Sequence, residues 1–543
     1  MEEFDYVVVG AGSSGCVVAA RLSEDPKRRV LLLEAGPPAD NFWINTPGGV
    51  AKLFDDRRFN WAHTTEPVNS LGGRTVNWPR GKTLGGSSAI NGMVYMRGHP
   101  RDFDLWAEMG NEGWSWDEVL PYFRKSECNQ RGADEYFGGD GPLSVTDPVE
   151  RHPSTVDFLK SITSLGIPEI PSLNAPPYEG VSFQQFTIRN GKRETSYTAF
   201  IKPVRHRANL KVATNVQVLR VIIEGGQATG VEVLEKGRRR IIAAGREVIV
   251  SAGALSSPQL LMLSGVGDGN TLKRLGIDVH RDLPGVGLNL QDHWVSPFVA
   301  RVGRDGSYNH SLIGYRKYIE GLRYLLTHKG FLALGSSAVS AYVRTSAQQP
   351  QPDLQLAVRP VSAIFRPDGS VDVDPEPGIG GAAVLVGPKS TGFLSLRSPD
   401  PLEAPIFHPN YLSDQSDIER MLYGVRLLRR VLKSEPLARR IHAEIVPGPS
   451  VQTDEQIIDF IKRHGNTAWH QAGTCKMGND PLAVVDSKLK VHGIGRLRVV
   501  DASIMPRITS GNTNAPSIMI GEKAADLIKS QSTPRRSAAV QNQ

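Results

Sequence analysis

The chain has 543 residues, of which 40% are hydrophobic, 22% charged and 55 are glycine; this excludes disordered and fibrous classes and is too long for one core, so at least two lobes are expected. The formal net charge of +7 is modest, and the basic residues are dispersed apart from KGRRR at 236–240 and RRS in the tail, a solvated surface and not a nucleic-acid interface. Cys16, Cys128 and Cys475 lie far apart without a disulfide or zinc pattern, no export signal is present, and no window nears the ~18 apolar residues of a membrane helix, so a cytoplasmic setting with at most peripheral membrane contact is expected.

Residues 4–9, FDYVVV, read as a buried strand; glycines follow, then SSGCVVAARLSED as a helix ending before Pro26, then RRVLLLEAG as a second strand. This β-α-β unit predicts a parallel, doubly wound sheet. Gly10, Gly12 and Gly15 form GxGxxG: the first glycine makes a tight turn, the second admits a pyrophosphate close to the backbone, and the third lets helix pack on strand. The helix start offers free N–H groups and a positive dipole end to phosphate. Glu34 follows Gly15 by 19 residues, where a carboxylate meets ribose hydroxyls. NAD and FAD share this half, so the fingerprint alone leaves both open.

Further along, 81–104 (GKTLGGSSAINGMVYMRGHPRDFD) places small residues and hydroxyls where a backbone must approach a ligand closely. A second strand, turn and helix begins at Glu247 with EVIVSAGALSSPQLLMLSGVG. A helix is predicted over 417–433, with Ser416 and Glu419 spaced as a capping box. TAWHQAGTCKMG at 467–478 holds His470 and Cys475; by itself it is open to a redox thiol, a metal ligand, a haem ligand or a general base. No second cysteine, ligand quartet or CxxCH accompanies it, which argues against thiol, metal and haem chemistry, makes Cys475 packing, and leaves His470 open between a structural histidine and a general base; no metal is expected.

Three segments carry a family resemblance. Residues 81–104, GALSSP through SGVG at 253–267, and VVDASIMPRITSGNTNAPSIMIGEKAADLI from Val499 resemble, in that order, the signatures of the glucose-methanol-choline (GMC) oxidoreductases, flavoproteins that oxidise alcohols. The resemblance implies an α/β, α+β overall, architecture: a Rossmann-like FAD-binding domain at 1–158, 196–311 and 464–528, and a substrate-binding domain on an antiparallel sheet with helices at 159–195 and 312–463. Residues 529–543 read as a disordered tail.

By the same resemblance, Gly10, Gly12, Ser13, Ser14, Gly15, Glu34 and Ala35 would hold the adenosine half of FAD, with the Val218 backbone at the adenine. Lys82, Gly86, Asn91, Gly92 and Val94 would line the flavin. Asp501 and Ala502 would reach the pyrophosphate, and Asn512, Thr513, Asn514 and Pro516 would edge the ring. Some relatives attach FAD through a histidine just before the position of Asn91; Ile90 stands there, so a non-covalent FAD is expected. His470 would be the catalytic base, and Asn514 would hold the alcohol oxygen by hydrogen bonding. The implied reaction is oxidation of a small alcohol, with electrons passed to a quinone-like acceptor or to oxygen and dehydrogenase slightly favoured over oxidase. A non-redox, hydroxynitrile-lyase-like enzyme on the same scaffold is the alternative, and an NAD-dependent dehydrogenase a weaker third. Neither the alcohol nor the oligomeric state is legible.

Overall fold

The computed structural model describes residues 2–365 and 371–532. Strand β1 (Glu3–Val9), helix α1 (Ser13–Leu22) and β2 (Val30–Leu33) open the chain. β2 is buried throughout and β1 is buried from Tyr6 onward, the pattern of parallel strands covered on both faces. Gly10 turns at φ +98°, and a Cβ on Gly15 would lie 1.9 Å from the Gly10 carbonyl oxygen, so only glycine lets α1 sit this close to the strand.

After β3 (Gly180–Phe183) come β4 (Leu210–Ala213), β5 (Val216–Glu224), β6 (Gln227–Glu235), β7 (Arg238–Val250) and α2 (Gly253–Leu263). The chain continues through β8 (Trp294–Val302), α3 (Arg316–Thr327), β9 (Val339–Val343), β10 (Leu354–Arg359), β11 (Gly378–Leu385) and α4 (Gln415–Leu432). It closes with β12 (Ile441–Val446), α5 (Asp454–His464), β13 (Asn466–Thr467), β14 (Leu497–Val499) and α6 (Asn514–Ser532).

Two sheets organise these elements. The first runs β4-β2-β1-β7-β6-β5, with β14 also on β7. β4, β2, β1, β7 and β14 are parallel, whereas β5, β6 and β7 form an antiparallel meander. The length of β7 makes this possible: residues 238–243 pair with β6 and 248–250 with β14, while β1 occupies the other edge. The second sheet, β12-β8-β11-β10-β9-β3, is antiparallel, with β13 joined to β8. α4 lies on it closely, since a Cβ on Gly424 would come within 2.9 Å of Ala383 and 3.0 Å of Leu354.

The fold class matches the sequence reading, with three differences of detail. β8 falls inside 196–311, a stretch expected in the nucleotide domain, yet its strictly alternating burial fits the half-covered antiparallel sheet it joins. α4 starts at Gln415 and is capped by Asp414, whose carboxylate accepts from the Ser416 N–H, so the cap precedes the Ser416 box. α6 runs to Ser532, past the expected boundary at 528, and residues 533–543 of the expected tail lie outside the described residues.

The last helix lies on the first. Ser14 Oγ donates to the Ser517 carbonyl at 2.7 Å, Arg21 grips Glu522 with Nε and Nη2 at 2.8 and 2.7 Å, and Gly521 brings α6 within reach of Val17. Substituting Gly15→Ala sets a methyl against the Gly10 carbonyl and is expected to cost about 1–3 kcal/mol of stability. A drop in the thermal unfolding midpoint checks this.

Candidate active site

β13 ends at Thr467, and the loop after it turns through Trp469 at φ +62° to present His470. A single buried carboxylate, Asp292, holds this loop. It accepts from the His470 backbone N–H at 2.8 Å, Gln471 Nε2 at 2.7 Å and the His293 backbone N–H at 2.9 Å, and from the hydroxyls of Thr467 and Tyr411. Burial pushes the Asp292 carboxyl upward, against these hydrogen bonds and the nearby positive charge of Arg80. Arg80 itself donates to the Trp469 carbonyl at 2.6 Å.

Both ring nitrogens of His470 are engaged. Asn512 Nδ2 lies 2.9 Å from His470 Nε2, and His293 Nδ1 lies 2.9 Å from His470 Nδ1. An amide nitrogen can only donate, so Nε2 accepts and carries no proton. Nδ1 of His470 then holds the proton and donates to His293 Nδ1; the Nε2–H of His293 is left facing the Thr509 and Val386 carbonyls, outside hydrogen-bond geometry. Burial keeps both rings neutral: it pulls His470 well below the usual 6.5, helped by His293 and Arg80, and pulls His293 down to about 3. His470 is deeply enclosed but retains some accessible surface, as a group that meets a substrate must.

The structure brings Asn512, and not Asn514, to His470. Asn514 is the first residue of α6, and its Oδ1 accepts from Ser13 Oγ at 2.7 Å, on the glycine-turn side. Two residues apart at a helix start, the two asparagines point to different places.

The other expected residues assemble around the first turn. A Cβ on Gly12 would meet nothing nearer than the Ser251 carbonyl oxygen at 4.0 Å, and α1 has neither a side-chain cap nor an acid in its first turn. An open glycine beside uncapped N–H donors is what a pyrophosphate requires. Gly86 abuts the turn, since its Cβ would lie 2.7 Å from Gly12 Cα, and the Gly85 N–H donates to the Ala11 carbonyl. Glu34 accepts from the N–H groups of Ala11 (3.1 Å) and Gly36 (2.9 Å), next to half-buried Ala35, and burial raises its carboxyl from 4.5 to about 7. The Val216 N–H donates to the Glu34 carbonyl, whereas Val218 lies two residues further along β5.

Other members are committed to the protein itself. Asp501 accepts from the Gly253 N–H (2.9 Å), Ser257 Oγ (2.5 Å) and the Ser503 N–H (2.8 Å), pinning the start of α2, with Ala502 beside it. The Lys82 ammonium lies 4.4 Å over the Trp61 ring. Asn91 Oδ1 accepts from Arg193 and from the Met93 N–H, Gly92 packs on Ser336, and Val94 pairs with Phe186. The Thr513 carbonyl accepts from Ser517, and Pro516 is buried in the first turn of α6. Ile90 packs with Ile44, Leu53, Phe59 and Ala89. Cys475 is buried, which holds its thiol well above 9 in pKa and marks it as packing.

Comparison with known proteins places this geometry. GMC oxidoreductase family models match residues 4–295 and 388–521. The mitochondrial choline dehydrogenase of Homo sapiens is 43% identical over 98% of this chain and 90% of its own length. Alcohol dehydrogenase [acceptor] of Pseudomonas putida is 40% identical over 97% of this chain and 95% of its own. Among solved structures, a formate oxidase of Aspergillus oryzae studied for modification of its FAD superposes with a TM-score of 0.91 at 30% identity, covering 98% of this chain and 99% of that one. The chain belongs to the GMC oxidoreductase family. It is therefore an FAD-dependent alcohol oxidoreductase, and the open cradle at Gly12 and the bare start of α1 fit that cofactor.

Within this GMC oxidoreductase, what sequence reasoning missed are Asp292, His293 and the contact of Asn512 with His470. Asp292 and His293 stand side by side at 292–293, an acid-imidazole pair just before a strand, but their partners on other segments are 119 or more positions away.

The raised Glu34 carboxyl has a measurable consequence. Between 4.5 and about 7 the folded, flavin-free protein keeps a proton that the unfolded chain has lost. Stability therefore falls as pH rises through that window, by on the order of 3 kcal/mol in all. Glu34→Gln is expected to flatten this slope in denaturant titrations of the flavin-free protein.

Proposed function

We propose that His470 is the general base and Asn512 the oxygen-holding partner in oxidation of an uncharged alcohol. The observation that carries this reading is the single 2.9 Å bond between Asn512 Nδ2 and His470 Nε2. A substrate hydroxyl replaces that one bond with two: its proton points at the bare Nε2, and its oxygen accepts from the amide. As the proton moves to Nε2, the developing alkoxide stays fixed by Asn512, a preorganised donor in a water-poor site. FAD, when bound, supplies the acceptor for the hydride leaving the alcohol carbon. His293 keeps Nδ1 as the protonated nitrogen, so Nε2 is the basic one, and Asp292 keeps the ring from turning away. Asn514 is assigned to the nucleotide side, with Ser13.

The proposed substrate class follows from the surroundings. Asp292 is the carboxylate that touches this loop, and its lone pairs are taken by five donors. Ala468, two residues before the base, packs with a cluster that includes Met93, Met96, Val384 and Val386, flanked by Val295. No acid in this set is left to meet a quaternary ammonium group, which favours an alcohol on an apolar chain over choline. We infer a quinone-like acceptor over oxygen; the Pseudomonas putida relative is named for an acceptor, whereas Rhizobium etli relatives of 40% identity are named oxygen-dependent choline dehydrogenases, so peroxide release is the measurement that decides. Ile90, packed among apolar side chains, supports a non-covalent FAD.

Anaerobic stopped-flow reduction by alcohol tests the assignment. His470→Ala is expected to slow flavin bleaching about 10²–10⁴-fold, and Asn512→Ala about 10²–10³-fold. Asn514→Ala should lower flavin retention while leaving reduction of the loaded enzyme near wild type. Absence of bleaching by any alcohol would favour a lyase, choline as the best substrate in a panel would overturn the substrate class, and stoichiometric peroxide in air would overturn the acceptor.

Acid precipitation should release yellow flavin into the supernatant. Colour kept in the pellet would show a covalent link and defeat the reading of Ile90.

A further inference from the structure

Helix α3 is mounted with its apolar side away from the protein. Tyr315, Tyr318, Ile319, Leu322, Leu325 and Leu326 recur at helical spacing along one stripe and are 57–75% exposed. The opposite side, which faces the body, carries Glu320 and Tyr324, both buried. Polar bonds fasten it there: Glu320 accepts from the Phe331 N–H at 2.7 Å, and the Tyr324 hydroxyl donates to the Gly191 carbonyl at 3.2 Å. Exposed Phe42 and Trp43 stand beside the helix, with the Phe42 ring edge-on to Tyr324 at 6.4 Å. Water is a poor neighbour for a surface of this kind.

The rim is cationic. Arg316, Lys317 and Lys329 are exposed beside the stripe, with Arg316 and Lys317 over the rings of Tyr315 and Tyr318 at 5.7 and 5.1 Å. The acid on the helix, Glu320, is turned inward, and nearby Glu150 is paired with Arg323. Aliphatic side chains at the centre, tyrosine and tryptophan around them, and lysine and arginine at the edge match the layers of a bilayer surface from acyl chain to phosphate. A second copy of this chain on a two-fold axis would instead bring like charges together. No helix among the described residues is long and apolar enough to cross a membrane, so the contact is with one leaflet.

We propose that α3, with Phe42 and Trp43, docks this enzyme on membranes that carry acidic phospholipid. The segment after α3 leads back to the site: Leu332 meets Gly48, and the Ser336 N–H donates to the Gly92 carbonyl on the loop expected beside the flavin. Docking thus sets that loop near the lipid, where a lipid-soluble quinone resides. This last step rests on the alcohol-oxidoreductase reading with a quinone acceptor; docking itself does not.

The test is flotation of the flavin-loaded full chain with vesicles of equal parts phosphatidylcholine and phosphatidylglycerol. Wild type is expected to float, less so on pure phosphatidylcholine or in high salt. L322E/L326E should lower vesicle binding roughly tenfold or more while flavin content and turnover with a soluble dye stay at wild-type values. R316Q/K317Q/K329Q should weaken binding to acidic vesicles without affecting the weaker binding to neutral ones. Wild type that stays at the bottom of the gradient, or L322E/L326E floating equally well, overturns the proposal. A dimer in light scattering that L322E/L326E dissolves, without flotation, overturns it in favour of a self-interface. Turnover with a long-chain ubiquinone in the same vesicles reads the acceptor separately: its absence alongside flotation refutes the quinone step and leaves docking standing.

Discussion

The carboxylate of Asp292 is the constraint on which the site depends. Taking a charge out of water costs several kcal/mol unless hydrogen bonds replace the lost hydration, and here five donors from three stretches of chain converge on one group. The exchange fixes the start of β8, the Tyr411 hydroxyl and the 467–471 loop relative to one another. The position of His470 is a result of that agreement. Tyr411 is held in turn by the Trp78 indole N–H at 3.1 Å, which ties the hub to the aromatic core behind it.

From this anchor a directed chain of neutral hydrogen bonds runs from Asn512 through His470 to His293. Its direction is dictated at the Asn512 end by an amide nitrogen that can only donate. Burial keeps both imidazoles uncharged, so neither ring carries charge before a substrate arrives, and on the proposed reading the charge that develops falls on the oxygen held by Asn512. The same enclosure makes the Cys475 thiol unreactive, although it is the most conspicuous side chain in its stretch of sequence.

What the sequence disclosed was local in origin. Gly10 is required by its left-handed turn and Gly15 by the Gly10 carbonyl five residues away, both within one short motif, and alternation or continuity of apolar residues distinguishes β8 from β1. His470 was legible because elimination and family resemblance converge on it. The choice between Asn512 and Asn514 was not, because it turns on where α6 begins: Asn514 starts the helix and turns to Ser13, while Asn512 precedes it in a loop that passes His470. Asp292 and His293 stayed hidden for a related reason. Their significance lies in partners contributed by remote segments, and no spacing rule in one sequence marks such a meeting.

The packing of α6 on α1 joins residues separated by about 500 positions, through Ser14 with Ser517 and Arg21 with Glu522. Contacts of such sequence separation form late, since chain closure must precede any gain from them. The nucleotide turn thus takes its shape from neighbouring residues, while its cover comes from a segment about 500 positions further on. On the flavin reading proposed above, a chain without α6 would carry the dinucleotide fingerprint but lack the helix that packs over it.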